Sequence, residues 1–484
     1  MFRVAPHVCF AYLPVTMNKN TYPFSRRSFI KSGALLGGAV LMDGCSSLGP
    51  SGGGKNVPYA VENVVRPAAL GDVKIGGRIA KKMGRFFYNR ILSDKAKNLV
   101  YQETLDAFKN QLDDQSGAVG LWQGEFWGKL TISAVRVCEY RRDPELKAFI
   151  AKSVDALLKF QQPDGYIGTY KDRMFLTVTD LKKAKEVMGW DCNWCWNLWC
   201  RKYTLWGLLE AYGLLGDKKI LAAAERFMTQ YIDMLHANGV LLCDTGTFHG
   251  APSMSILKPL LMLYRNTGDK KFSDFAREIV AYWNRPNDPI PNYLQNAFTH
   301  KPFADWYPDP PKWAKVYETL SCLDGLLEYY RVTGDKHVLE AVTLIRDEII
   351  ASDANLVGSV GFNDIFNHAT AQNSVISEPC DVIHWMRLNY ELFALTADAK
   401  YMDTFEDAFL NGFLAGVYRD GTWGARGVRS HGRHYTAKGQ AGMQHNHCCV
   451  DNMPRGYMNM AQAIAAEKDG NLYEIGRASW RERV

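Results

Sequence analysis

Apolar residues recur at helical spacing in paired segments along most of the chain. "GLLEAYGLLGDKKILAAAERFM" from Gly207, "PLLMLYRNTGDKKFSDFAREIV" from Pro259, "GLLEYYRVTGDKHVLEAVTLI" from Gly325 and "NYELFALTADAKYMDTFEDAFL" from Asn389 share one rhythm. Each reads as an amphipathic helix, a tight turn and a second amphipathic helix. Gly216, Gly268 and Gly334 stand where a helix end needs a left-handed residue. Asp217, Asp269 and Asp335 follow where the next helix needs an N-cap. "GKLTISAVRVCEYRRDPELKAFIAKSVDALL" is an earlier relative, turning near Asp143.

The turns lie 52, 66 and 63 residues apart, too long and too unequal for a simple solenoid. Helix pairs separated by long loops predict an all-α chain closed into an α/α toroid. The loops hold most of the Gly, Pro, Trp and His, so function is expected there.

Composition adds little to that picture until charge is divided by region. The 484 residues are 47% hydrophobic and 22% charged, an ordinary globular balance. Thirteen Trp and twenty-four Tyr suit a carbohydrate cleft, and a large helical core equally. Of the net charge of +6, residues 1–45 carry +4 and the last ten +2. The body is neutral and offers no footprint for nucleic acid.

"SRRSFIK" followed by "SGALLGGAVLM" resembles a twin-arginine export signal. The apolar run is too short for a permanent span, so no membrane-spanning helix is expected in the mature chain. The expected location is periplasmic, or lipid-anchored to the cell envelope through Cys45. The expected organisation is an export signal over 1–45, a linker over 46–65 and a barrel over 66–474. Residues 475–484, "IGRASWRERV", resemble a translated sequencing adapter and read as a non-native tail, with the natural chain continuing.

Eleven cysteines narrow the chemistry. Cys138 and Cys322 fall in helical patterns and read as core residues. "CNWCWNLWC" (Cys192, Cys195, Cys200) holds one unpaired CxxC and reads as Trp-rich packing rather than a metal or redox element. "SEPC" and "HNHCCVDN" are richer. Glu378 and Cys380 are two apart, which in an extended stretch puts both side chains on one side. Cys448 and Cys449 follow after one helical hairpin. One carboxylate and three thiolates suit tetrahedral zinc, and four protein ligands alone would indicate a closed structural site. His445, His447 and Glu378 also read as ordinary loop residues.

"WQGEFWGK", "QQPDGYIGTY", "KYTLWGLLEAYGLLGD", "LMLYRNTGD", "SEPC", "YMDTFEDAFLNGFLAGV" and "CCVDNMPRG" together resemble glycoside hydrolase family 127, from about residue 60 to 470. That is the family of retaining β-L-arabinofuranosidases and their relatives. The resemblance implies an (α/α)6 barrel followed by β-sandwich modules, of which only the barrel fits within this chain. It implies zinc on Glu378, Cys380, Cys448 and Cys449, with Cys448 as the nucleophile. Metal coordination would hold that thiol as thiolate at neutral pH. The implied substrates are plant-type oligo- or polysaccharides ending in β-L-arabinofuranosyl or similar sugars.

The chain departs from the family at three places. The family's acid/base is a Glu in a Gly-rich stretch, and the corresponding "GSVGFNDIFNHA" has none. Asp364 is its nearest carboxylate and the candidate, with His368 assisting or capping the loop. Arg201-Lys202 stands where a His-Lys pair is common. Arg201 is therefore a candidate sugar contact, suited to a carboxylated sugar. His249 in "DTGTFHG" resembles a further sugar-contact position. Glu125 and Asp164 read as hydroxyl binders or loop braces. Two other functions fit the pattern: a carboxylate-only α/α-barrel hydrolase or lyase, and a non-catalytic glycan-binding relative.

Overall fold

The structure, a computed structural model, describes residues 56–113, 122–176, 195–284, 291–368, 375–417, 428–429 and 442–474. The export signal with Cys45, Cys192 and the 475–484 tail lie outside the described residues. The principal helices are α1 (Gly77–Phe87), α2 (Gln102–Asp113), α3 (Gln123–Arg141), α4 (Pro144–Leu158), α5 (Asn197–Leu215), α6 (Lys218–Ala237) and α7 (Leu257–Thr267). They continue with α8 (Lys270–Tyr282), α9 (Val316–Thr333), α10 (Lys336–Asp353), α11 (Pro379–Thr396), α12 (Ala399–Ala408) and α13 (Cys448–Ala463).

The hairpins form as the turn residues dictate. Gly216, Gly268 and Gly334 take φ of 70°, 69° and 77° at the ends of α5, α7 and α9. The carboxylates of Asp217, Asp269 and Asp335 accept the backbone N–H of Lys219, Lys271 and His337 at 2.9–3.1 Å, capping α6, α8 and α10. Asp143 and Asp398 cap α4 and α12 in the same way.

Six helices close an inner ring. Each packs on the next in the order α3, α5, α7, α9, α11, α13, and α13 returns to α3. The partners α4, α6, α8, α10 and α12 cover α3, α5, α7, α9 and α11 from outside, while α1 covers α13. The architecture is the expected (α/α)6 toroid, sealed by bringing the first helix against the last. Inner and outer helices differ in pattern. Every residue of α3 from Gln123 to Cys138 is buried. Outer α6 buries Ile220, Ala224, Phe227 and Tyr231, one stripe at helical spacing. The α3–α5 approach is close enough to demand glycine: a Cβ on Gly128 would sit 2.1 Å from the Tyr203 carbonyl oxygen.

Residues 57–65, expected as linker, are instead a strap across the C-terminal ends of the inner helices. The N–H of Val57 donates to the Arg265 carbonyl of α7 at 2.8 Å. Ala60 and Val61 donate to Arg331 of α9, and Val65 to Ala394 of α11. Last-turn carbonyls without intrahelical partners are thereby satisfied. Arg66–Pro67 then pairs antiparallel with Ala465–Lys468, just beyond α13. Among the described residues no helix is long and apolar enough to cross a membrane.

Candidate active site

The four predicted ligands converge. One ligand atom from each of Glu378, Cys380, Cys448 and Cys449 lies within 4.8 Å of the others, and among the described residues this is the one such group fit for a metal. The local placement differs from the expected extended stretch. Glu378 is the N-cap of α11 and Cys380 its second residue, with Pro379 between them at the first helical position. Cys448 and Cys449 open α13. The set therefore occupies the N-termini of two neighbouring inner helices, where the helix dipole favours thiolate and carboxylate.

The spacing suits zinc. Two tetrahedral Zn–S bonds place their sulfurs about 3.8 Å apart; Cys448 Sγ and Cys449 Sγ are 3.7 Å apart. A disulfide would need about 2.05 Å. Glu378 Oε1 lies 3.6 Å from Cys448 Sγ and 2.7 Å from Cys449 Sγ. Hydrogen bonds from Cys380 and Cys449 hold the Cys448 thiol well below the ordinary thiol range. Burial pushes Cys380 and Cys449 well above it. Three sulfurs and a carboxylate in one buried knot retain protons unless a cation replaces them. Cys448 alone among the three thiols is only partly buried.

The histidines hold the helix rather than join the ligands. His447 is the N-cap of α13, its Nδ1 accepting the N–H of Cys449 at 3.2 Å. Its own N–H donates to Asp451 Oδ2 at 3.3 Å, and Asp451 is ion-paired with Arg90. His445 contributes backbone: its carbonyl accepts from Arg90 Nη1 at 2.9 Å and its N–H donates to Glu103 Oε2 at 2.9 Å.

A second polar group abuts the cluster. Asn452 Nδ2 donates to Cys380 Sγ at 3.3 Å and to the Tyr317 hydroxyl at 3.0 Å. Lys129 Nζ sits 4.9 Å from the ring centres of both Tyr203 and Tyr317, and 3.0 Å from Glu125 Oε1. Trp199 Nε1 donates to the other oxygen of Glu125. Burial pushes the Glu125 carboxyl up to about 7, opposed by Lys129 and reinforced by Cys448. A carboxyl titrating near neutrality beside a nucleophile has the property an acid/base needs. The sequence reading passed over Glu125 as a brace. The signal was its i,i+4 partner Lys129 in an otherwise buried helix start.

The other expected site residues disperse. Asp364 is ion-paired with Lys315, and its Oδ1 accepts the Tyr317 N–H at 3.3 Å. Lys315 in turn lies in the field of Glu378 and Cys448, one side chain from the cluster. His368 pairs with Asp305 at 2.7 Å. Arg201 is fully buried in helix packing: it lies 4.7 Å from the Tyr166 ring centre and 5.7 Å from that of Tyr231. Its donors reach Asn197 Oδ1 and the Arg173 carbonyl. An enclosed guanidinium of this kind presents no face to a sugar carboxylate. His249 stands exposed in the loop before α7. Cys138 and Cys322 are core residues as expected, and buried Cys195 donates to the Phe175 carbonyl at 3.2 Å.

Residues 79–462 match a family described as "Beta-L-arabinofuranosidase, GH127 catalytic domain". A non-reducing end β-L-arabinofuranosidase of Bifidobacterium longum subsp. longum is 20% identical over 418 residues, covering 78% of this chain and 60% of that protein. A solved GH127 β-arabinofuranosidase superposes with a TM-score of 0.61 at 18% identity, covering 86% of this chain and 64% of its own. A GH127 β-L-arabinofuranosidase from Geobacillus stearothermophilus T6 gives 0.56 at 16% identity, covering 85% and 67%. The chain thus spans about three fifths of the curated relative's length.

Proposed function

This chain belongs to the GH127 β-L-arabinofuranosidase family, and we propose that it is a retaining glycoside hydrolase using Cys448 as nucleophile. The observation that carries the reading is the part-exposed Cys448 thiol, set at a helix N-terminus within a four-residue ligand cluster. Its substrates are terminal β-L-arabinofuranosyl or similar sugars of plant-type glycans, by likeness to the relatives. Glu378, Cys380, Cys448 and Cys449 would hold zinc, which when bound keeps the thiols deprotonated and fixed in place.

The residues divide the chemistry as follows. Cys448 Sγ attacks the anomeric carbon; the C–S bond forms while the bond to the leaving oxygen breaks. That oxygen takes a proton from a carboxylic acid. Water then attacks the same carbon, gives its proton to the resulting carboxylate, and the C–S bond breaks. Two displacements retain configuration. Asp364 holds the acid/base place by motif. Glu125 is the second reading, favoured by its carboxyl being pushed up to about 7.

Export as a folded protein completes the proposal, since zinc would then enter in the reducing cytoplasm and shield the thiols afterwards. One zinc per chain in protein isolated from the periplasm supports this; a metal-free Cys448–Cys449 disulfide sinks it. The hydrolase reading is tested by release of p-nitrophenol from its β-L-arabinofuranoside, with and without a strong chelator. The expected result is chelator-sensitive release that Cys448→Ala abolishes. Release surviving Cys448→Ala would favour carboxylate-only chemistry, and glycan binding without release would favour a binding protein.

A further inference from the structure

Two part-buried aromatic side chains flank the accessible thiol. Trp122, Phe248 and Cys448 all pack against the same buried set, which includes Trp196, Trp199, Tyr317, Cys380 and Cys449. Trp122 and Cys448 also meet over Phe126 and Met443. Trp196 links the two aromatics: its ring centre lies 5.7 Å from that of Trp122 and 6.2 Å from that of Phe248.

Phe248 does not hold this place at rest. It has φ of 50°, followed by His249 at 51° and Gly250 at 75°. A bulky residue in the left-handed region is an outlier, tolerated where its surroundings over-determine it and common at functional sites. The surroundings do so here. Gly246 N–H donates to the Leu176 carbonyl at 2.7 Å, and Ala251 N–H to that of Phe248 at 3.3 Å. A Cβ at Gly250 would lie 2.3 Å from the Cys243 carbonyl oxygen, so the loop cannot relax there. His249 is left exposed, while the Phe248 ring turns toward Lys315, whose Nζ is 5.5 Å from its centre.

The cations nearby are matched. Lys315 faces Asp364 and lies 3.6 Å from Glu318; Lys129 faces Glu125; Arg201 is enclosed between tyrosines. What surrounds the thiol is therefore aromatic surface rather than unmatched positive charge.

We propose that Trp122 and Phe248 are two walls of a monosaccharide slot over Cys448, that the left-handed backbone aims the Phe248 wall, and that the slot selects a neutral sugar with an apolar C–H face over an acidic one. The inference rests on the hydrolase reading for its kinetic test and stands apart from it for its binding test.

With p-nitrophenyl β-L-arabinofuranoside, Phe248→Ala lowers kcat/KM about tenfold or more, mainly through KM, with metal content unchanged. Phe248→Tyr restores most of the loss. Phe248→Gly loses activity like Phe248→Ala yet melts higher, the reverse of the usual order, because glycine adopts positive φ freely. The matched p-nitrophenyl uronide is a poorer substrate by about a hundredfold. An unchanged KM in Phe248→Ala, a lower melting temperature for Phe248→Gly than for Phe248→Ala, or equal use of the uronide overturns the proposal. Binding is read separately in Cys448→Ser, by tryptophan fluorescence during titration with a neutral arabinofuranosyl oligosaccharide. Should no variant hydrolyse anything, binding that Phe248→Ala removes still supports the slot, and no binding rejects it along with the hydrolase reading.

Discussion

Two buried ionic clusters occupy opposite ends of one ring of helices, and they are balanced differently. At the C-terminal ends of the inner helices, Lys258 and Arg387 each reach Asp324 at 2.9 Å. Arg331 reaches Glu391 at 2.5 Å and Glu328 at 3.9 Å. Three cations meet three carboxylates, and the Tyr59 hydroxyl of the strap donates to Glu328 at 2.6 Å. At the N-terminal ends, Glu378 and three cysteines gather with Glu318 and Asp381, whose carboxyls burial pushes up. Lys129 and Lys315 face Glu125 and Asp364 instead. The first cluster is complete in itself; the second holds an excess of acidic groups that a divalent cation would satisfy. Buried charge is thus no mark of function, whereas buried imbalance is.

The sharpest way to break this comparison is to remove the nucleophile from the unbalanced end. Cys448→Ser is expected to lower kcat/KM by about 10⁴-fold while leaving folding cooperative, checked by initial rates and thermal melts. At the balanced end the loss is in stability. Asp324→Asn leaves Lys258 and Arg387 facing one another and is expected to cost about 3–5 kcal/mol in denaturant unfolding. Its zinc content, by elemental analysis, should match the wild type. If Asp324→Asn loses metal, the two ends are not independent.

Glu125→Gln has a smaller effect with a distinctive pH signature. If Glu125 delivers the proton, kcat/KM declines as pH rises through about 7, where the carboxyl ionises. The Gln variant should lose that limb along with about 10²-fold in rate. Stability shares the sign. A carboxyl raised in the folded state stabilises below its ordinary range, and that contribution is lost as pH rises through about 7. The Gln variant should therefore melt with a flatter pH profile between about 4.5 and 7. Asp364→Asn retaining the basic limb would favour Glu125 as the acid. The smallest change expected is Asp217→Ala, which removes one cap far from both clusters and costs about 1 kcal/mol with metal and rate untouched.

Much of the frame was legible before any coordinates. Apolar spacing located the hairpins, and Gly-Asp at each turn located their caps, because both are local rules. The ligand set was legible because two short motifs carried it. Its setting was misread: Glu378 and Cys380 looked extended, while Pro379 between them is the residue a helix start favours. Arg201 looked like a sugar contact by adjacency. Successive helical residues point about 100° apart, and that rotation buries Arg201 against outer α6 while Trp199 reaches Glu125. Residues 57–65 have no periodicity, since their hydrogen bonds go to other elements. Phe248 was invisible for a different reason: strain is a property of the closed loop, hinted at only by Gly246 and Gly250.

The strap gives the molecule a direction of traffic. With Tyr59 wedged 3.4 Å from the Arg265 guanidinium and the bore filled by Trp206, His384 and Arg455, the toroid is a thimble rather than a ring. A polymer has no second exit through the described residues. Whatever reaches Cys448 enters at one rim, and the severed piece leaves by the same rim before the next chain end arrives.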